Sequence, residues 1–273
     1  MKRQLTSILL ASSLILAGSA FAAPVPVATW QFNNTLAAEE AGVSALTAID
    51  PLGQNGFVTD TVFGVTQRVY RFDGNKFDSS FGASEQAGLS VNTTGLLNSG
   101  NAYSVDMVFK FESNDATWEN ILGVSNRQSD IAFYVEPGNH LQVYPTGGGP
   151  TVFTFGDYHR ISLTNNGAGH VTAYLDGVFQ FDLNSASMDF STYSSQNPAR
   201  IMHFFADNVV GGGIGEFTDG RVALIRLYDN ELTGGEVAHL PTAPVPEPET
   251  YAMMLAGLGL LGVAARRRKV STV

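Results

Sequence analysis

Carboxylates are the side chains in this chain most able to do chemistry, so their spacing is the first question. Cleavage of a glycosidic bond needs two of them held at a fixed separation on either side of the bond. Glu112, Asp115 and Glu119 form the nearest cluster of acids, but Ser113 to Thr117 reads as a loop, which holds reacting groups in poor register. Nucleophilic chemistry fares no better. His140, His159, His170, His203 and His239 stand singly, with no Gly-x-Ser-x-Gly elbow and no His-Glu-x-x-His helix. Gly147-Gly148-Gly149 and Gly211-Gly212-Gly213 lack the Lys-Ser that follows a phosphate loop and read as loop tips. The chain has no cysteine, which removes disulfides, thiolates and cysteine zinc sites.

What the residues can do is bind. Trp118, Tyr134, Tyr144, Tyr158 and Tyr193, with Asn126, Asn139 and Asn197 in intervening loops, are the types that meet a sugar, rings against its faces and amides on its hydroxyls. Trp118, Tyr134 and Tyr144 are the first choice. Aromatic rings at strand period also build cores, so these positions carry both readings. From Ala23 to Pro246 there are 9 Lys or Arg against 23 Asp or Glu. So acidic a surface lacks the basic clusters that nucleic acid and anionic lipid require, and is compatible with cation binding, with neutral glycans or simply with solubility.

Elements of period two must position these residues. Alternation recurs at Val27 to Asn33, Arg68 to Asp73, Tyr103 to Glu112, Ile131 to Glu136, Leu141 to Tyr144, Thr151 to Phe155, Arg160 to Thr164 and Val171 to Leu175. Tyr103 to Glu112 predicts one face in the core and one in water. Asp176-Gly177 between two such runs supplies the positive φ of a tight hairpin. Thr233 predicts the cap of one short helical turn reaching His239. The fold class is all-β, a single two-sheet antiparallel sandwich over 23–240.

Both ends of the chain read as addresses. Lys2 and Arg3, the apolar run Ile8 to Gly18 and the small-x-small site Ala20-Phe21-Ala22 have the layout of a secretory signal peptide covering 1–22. At the other end a Pro-rich linker, 241–249, contains Pro246-Glu247-Pro248. The segment 250–270 follows, with an uncharged run from Tyr251 to Ala265 stopped by Arg266, Arg267, Arg268 and Lys269. A short apolar helix against a basic cluster predicts a membrane anchor with its tail on the cytoplasmic side. At about 15 residues it falls short of the usual ~20, which suits an anchor that is later removed.

These C-terminal residues together resemble the PEP-CTERM sorting signal of Gram-negative bacteria. The resemblance implies recognition by an exosortase near Pro246, Glu247 and Pro248, after signal peptidase has acted at the N-terminus. The expected location is transient anchoring in the inner membrane, then the cell surface or extracellular matrix. Ala28 to Asn33, Tyr70 to Gly74, Tyr103 to Phe109, His159 to Leu163, Ala173 to Gly177 and Asp219 to Thr233 resemble, in order, the laminin G-like, concanavalin A-like jelly roll. That resemblance implies two sheets of six or seven strands and a module that binds glycans or proteins. Its enzymatic branches place Glu-x-Asp-x-x-Glu on one strand, a spacing not found here. Many relatives hold calcium, but Asn33 and Ala223-Leu224 stand where acids are frequent. Asp207, Asn208 and Asp219 are then the residues left to supply oxygen from loops. No other cofactor is implied. The expectation is a non-catalytic module for exopolysaccharide or another matrix component. The alternatives are a polysaccharide hydrolase and a structural matrix protein without a ligand.

Overall fold

The computed structural model describes residues 23–74, 86–98, 100–113, 118–210 and 215–241. Along the chain the strands are β1 (Ala28–Trp30), β2 (Thr47–Ile49), β3 (Gly56–Val62), β4 (Val65–Phe72), β5 (Gly88–Asn92), β6 (Ala102–Phe111) and β7 (Glu119–Gly123). They continue as β8 (Phe133–Val135), β9 (His140–Val143), β10 (Gly147–Val152), β11 (His159–Asn166), β12 (His170–Leu175), β13 (Val178–Asn184), β14 (Ile201–Phe204) and β15 (Gly220–Tyr228). A short α-helix, α1 (Gly234–Ala238), follows β15.

The strands form two antiparallel sheets. The larger runs β13-β12-β11-β6-β15-β4-β3, with β1 also on β15; the other runs β10-β9-β8-β7-β14-β5-β2. This is the expected jelly-roll sandwich. Between the sheets lie the inward residues of each strand, including Trp30, Val105, Met107, Phe109, Phe133, Leu141, Ile161, Met202 and Phe204. Phe72 and Phe205 stack with centroids 4.2 Å apart, and Phe109, Phe111 and Phe153 pack around them. Burying each such side chain contributes about 1.5–3 kcal/mol.

Two expectations fail for identifiable reasons. β6 does alternate, with Tyr103, Val105, Met107, Phe109 and Phe111 in the core, but its other face does not meet water. Ser104 accepts Leu232 N–H and donates to Asn230 carbonyl, Val108 joins a small apolar cluster with Val62, Val69 and Leu224, and Asp106 is fully buried. Gly147 to Gly149 belong to strand β10, not to a loop tip. A Cβ at Gly148 would stand 2.4 Å from Leu141 carbonyl oxygen, and one at Gly149 would stand 2.7 Å from Gln180 Cβ. The glycines let β10 press against β9 and reach β13 where the two sheets meet.

The helical turn forms as its sequence predicts. Thr233 Oγ1 accepts Glu236 N–H at 3.3 Å while Glu236 Oε2 accepts Thr233 N–H at 2.8 Å, the reciprocal cap that satisfies the first turn. Below α1, Arg160 donates to the carbonyls of Val237 and Leu240, and Arg226 to that of Pro241. Asp106 lies between the two guanidinium groups at 3.6 and 3.5 Å and accepts Ser162 Oγ at 2.7 Å.

Candidate functional site

The outer face of the smaller sheet is polar by the same alternation that makes its inner face apolar. With Leu89, Phe133, Val135, Leu141, Met202 and Phe204 turned inward, Ser90, Asn120, Tyr134, Gln142 and His203 fall on the outside. Residues after β7 fold back over this face. Arg127 Nε donates to Asp207 carbonyl at 2.8 Å, another Arg127 nitrogen donates to Gln86 Oε1, and Gln86 Nε2 donates to Asn208 carbonyl at 2.8 Å. His203 is buried beneath, its ring so close to Gly123 that a Cβ there would stand 2.3 Å from it. Burial, with the nearby Arg127 charge, brings its pKa down to about 3, so the imidazole is neutral.

Beside this packing, three acids converge. Oxygen atoms of Asp130, Asp207 and Glu216 lie within 4.8 Å of one another. Asp207 Oδ2 accepts the N–H groups of Gly215 and Glu216, both at 2.9 Å, which fixes the side chain. Its Oδ1 is buried with no hydrogen-bond partner. Asn208 Nδ2 donates to Asp130 Oδ1 at 3.2 Å, and Asn120 N–H holds Glu216 carbonyl at 2.8 Å. Burial raises the pKa of all three acids, and for Glu216 burial with the charges of Asp207 and Asp130 raises it to about 8. Three carboxylates facing one another need either protons or a cation between them. All-oxygen donors of this charge suit a hard divalent ion such as calcium, and the orphaned Asp207 Oδ1 is the atom such an ion would satisfy.

An aromatic group adjoins the acids. Tyr134 donates its hydroxyl to Asp130 carbonyl at 3.1 Å. Trp118 meets the edges of Tyr134 and Tyr144 at centroid distances of 5.6 and 5.2 Å, nearly perpendicular to each. Trp118 and Tyr144 are half-exposed, whereas Tyr134 is 1% exposed and serves as their base.

The residues singled out from sequence divide sharply by location. Trp118, Tyr134 and Tyr144 come together, and Asp207 and Asn208 meet them through Asp130. Asp219 lies elsewhere, beside Asp73, where burial and that neighbour raise its pKa to about 6. Tyr158 is on the larger sheet, donating to Asp60 with Lys110 over its ring. Tyr193 and Asn197 are buried, Asn197 bonding the backbone at Val124 and Ile201. Asn126 and Asn139 are half-buried turn residues with positive φ. Asp130 and Glu216 had no sequence signal beyond their charge, and they are distant in the chain. Glu119 lies buried in β7. The signal peptide over 1–22, Asp115, Gly211 to Gly213, the sorting residues Pro246, Glu247 and Pro248, and Arg266, Arg267, Arg268 and Lys269 lie outside the described residues. Among the described residues no helix is long and apolar enough to cross a membrane.

Comparison with known proteins defines the class first. Domain 4 of AbnA, a GH43 extracellular arabinanase from Geobacillus stearothermophilus solved with arabinotriose, superposes with a TM-score of 0.55 at 17% identity, covering 80% of this chain and 98% of that one. A botulinum neurotoxin type C structure, from work on cell entry dependent on two ganglioside molecules, gives 0.51 at 10% identity over 79% of this chain and 50% of the toxin chain. These likenesses establish a β-sandwich jelly roll. None of the curated proteins matches the sequence. Residues 244–269 match the PEP-CTERM protein-sorting motif. The chain is thus an exported, membrane-transiting jelly-roll protein carrying an exosortase sorting signal.

Proposed function

We propose that this protein is a non-catalytic glycan-binding module of the cell surface or extracellular matrix of a Gram-negative bacterium. In this reading Tyr251 to Ala265 anchors the precursor in the inner membrane until exosortase acts near Pro246-Glu247-Pro248. The sugar lies on Trp118 and Tyr144, and a divalent cation held by Asp130, Asp207 and Glu216 sets the edge of the site. The observation that carries the reading is the junction of the two groups through Tyr134, whose ring supports Trp118 and whose hydroxyl bonds Asp130. When bound, the cation supplies a fixed positive charge for sugar hydroxyls. The protein's own residues do the rest: Asn208 orients Asp130, and the backbone at Gly215 and Glu216 orients Asp207. Sugars bound to domains of the same fold, such as arabinotriose on domain 4 of AbnA, are consistent with a glycan partner.

A hydrolase is the second reading, favoured by one observation. Glu216, with its pKa raised to about 8, would be protonated at neutral pH as a general acid must be. Against it, one oxygen of each acid lies within 4.8 Å of the others, an arrangement that suits a single cation between them. Asp207 is also fully buried, beyond reach of a sugar carbon.

One experiment separates the readings. The protein is screened against polysaccharides, including the matrix of the producing cell, with calcium and then with a chelator. Binding that the chelator abolishes, without release of reducing sugar, is the expected result. Released reducing sugar would establish the hydrolase, and no binding to any polysaccharide would leave a structural matrix component.

A further inference from the structure

We infer that the outer face of the larger sheet, bearing α1 and the β12–β13 hairpin, is the face this domain turns to the lipid bilayer while its C-terminal segment is attached. The inference rests on the membrane-anchor reading of Tyr251 to Ala265 given above. It starts from where the chain leaves the domain. Val237 and Leu240 pack with Tyr174, Tyr228 and Leu232 on that face, and the guanidinium groups of Arg160 and Arg226 hold the carbonyls of Val237, Leu240 and Pro241. The departure point is therefore fixed at Pro241, on the side opposite the acidic and aromatic groups.

The length of the tether then decides the orientation. Thr242 to Thr250 separates Pro241 from the apolar run, a stretch that spans at most about 30 Å when fully extended. A domain of this size has a radius of gyration of about 17 Å, and so a width of roughly 40 Å. Bringing the smaller sheet's outer face to the bilayer would require the tether to pass around the domain, a path longer than its reach. The candidate site is held away from the membrane, open to the exterior.

The surface around the departure point is suited to a lipid headgroup layer. Val178 and Phe179 are 61% and 54% exposed, on the hairpin whose Gly177 would bring a Cβ to 3.9 Å from Ala238 Cα. Phe179 meets the edge of Tyr174 at 6.2 Å, which ties the exposed pair to the cluster beneath α1. Acids on the same face, the exposed Asp176 and the half-buried Glu236, would repel anionic headgroups, favouring zwitterionic over anionic lipid.

The chain has no cysteine, so single labels can be placed cleanly. Phe179→Cys, Val65→Cys at the opposite edge of the same sheet and Gln142→Cys on the far face would each carry an environment-sensitive fluorophore. The full chain with its tail is then reconstituted in phosphatidylcholine vesicles containing a headgroup-level nitroxide quencher. Quenching at position 179 is expected to exceed that at 65 and 142 several-fold, and to weaken when phosphatidylglycerol replaces part of the lipid. Flotation of the chain with the vesicles but equal quenching at the three positions, or strongest quenching at 142, would overturn the orientation alone. Failure of the chain to float with the vesicles would overturn the anchor reading and the orientation with it.

Discussion

Each sheet carries a charged cluster on its outer face, fully buried on the larger sheet and half-buried on the smaller, and the two clusters are built to opposite ends. On the larger sheet Asp106 sits between Arg160 and Arg226, whose terminal nitrogens also donate to the carbonyls of Val237, Leu240 and Pro241. Opposite charges face one another there, although Asp106 Oδ2 and Arg160 Nε form no hydrogen bond, and the cluster fastens the last segment of the domain. On the smaller sheet Asp130, Asp207 and Glu216 face one another. Arg127 beside them gives its Nε to the Asp207 carbonyl, and Asp207 Oδ1 has no partner. Excess like charge left in a buried place is unfavourable for the empty protein. The difference is one of sign: opposite charges tie the fold together, and like charges are where the proposed cation would act.

The sharpest way to break this contrast is to remove one carboxylate from each face. Asp106→Ala leaves two buried guanidinium groups facing each other, which costs about 3–5 kcal/mol. The melting temperature should fall by about 10 °C. Asp207→Asn, measured in chelator, should leave the melting temperature unchanged or raise it, since it relieves repulsion while its amide oxygen can still accept from Gly215 and Glu216. A comparable fall in both variants would show that the acidic cluster is as structural as its counterpart. Calcium supplies the next effect. At a hundredfold excess over its dissociation constant it should stabilise the unmodified protein by about 2.7 kcal/mol, and Asp207→Asn and Glu216→Gln should lose that gain. An equal calcium shift in those variants would place the ion elsewhere.

The pH dependence should run in opposite directions on the two faces. Glu216 has a folded pKa raised from 4.5 to about 8, so the cation-free folded protein holds this proton more tightly than the unfolded chain does. Its contribution is complete below pH 4.5 and is lost as pH rises toward 8. In chelator, stability measured by denaturant unfolding should decline across that window, and calcium should remove the decline. Asp60 behaves inversely. Burial alone would raise its pKa, but Lys110, the Thr61 N–H and Tyr158 outweigh burial and bring it down to about 2. Its contribution is present above pH 3.8 and is lost as pH falls toward 2. A Glu216→Gln variant that kept the alkaline decline would remove Glu216 from the account.

What could be read from sequence follows the same division. Alternation, the Asp-Gly turn and the Thr233 cap are local, and β6, β11, β12, β13 and α1 follow from them, while β15 is reached only through the family resemblance of Asp219 to Thr233. Short strands such as β2, β7 and β14 contain too few residues to show a period, and pairing with their neighbours decides them. Asp207 and Asn208 could be picked out as oxygen donors in a loop, but their partner Asp130 arrives from the turn before β8 and Glu216 from the approach to β15. Only the sheet order brings these together. Asp219 had equal claim by composition, yet it precedes β15 on the side that pairs with β4, where Asp73 is its neighbour. Burial is the other property that residue type conceals. Tyr134 and Tyr193 look alike in sequence, but Tyr134 supports Trp118 at the site whereas Tyr193 turns its hydroxyl to Ser187 carbonyl.

The smallest expected effect tests whether the open face binds sugar at all. Trp118 is half-exposed, and its ring contacts with Tyr134 and Tyr144 are worth about 0.5–1.5 kcal/mol each beyond the area they bury. Trp118→Ala should therefore shift the melting temperature by only a few degrees. Loss of the platform should weaken glycan binding about tenfold, a change of roughly 1.4 kcal/mol, as titration calorimetry would record. Tyr158→Phe supplies the matching change on the larger sheet, where the hydroxyl serves Asp60 and the ring lies under Lys110. It should alter acid stability and leave glycan affinity unchanged. If both substitutions weakened binding equally, the ligand would not discriminate between the two faces, and the open cluster would lose its claim to be the site.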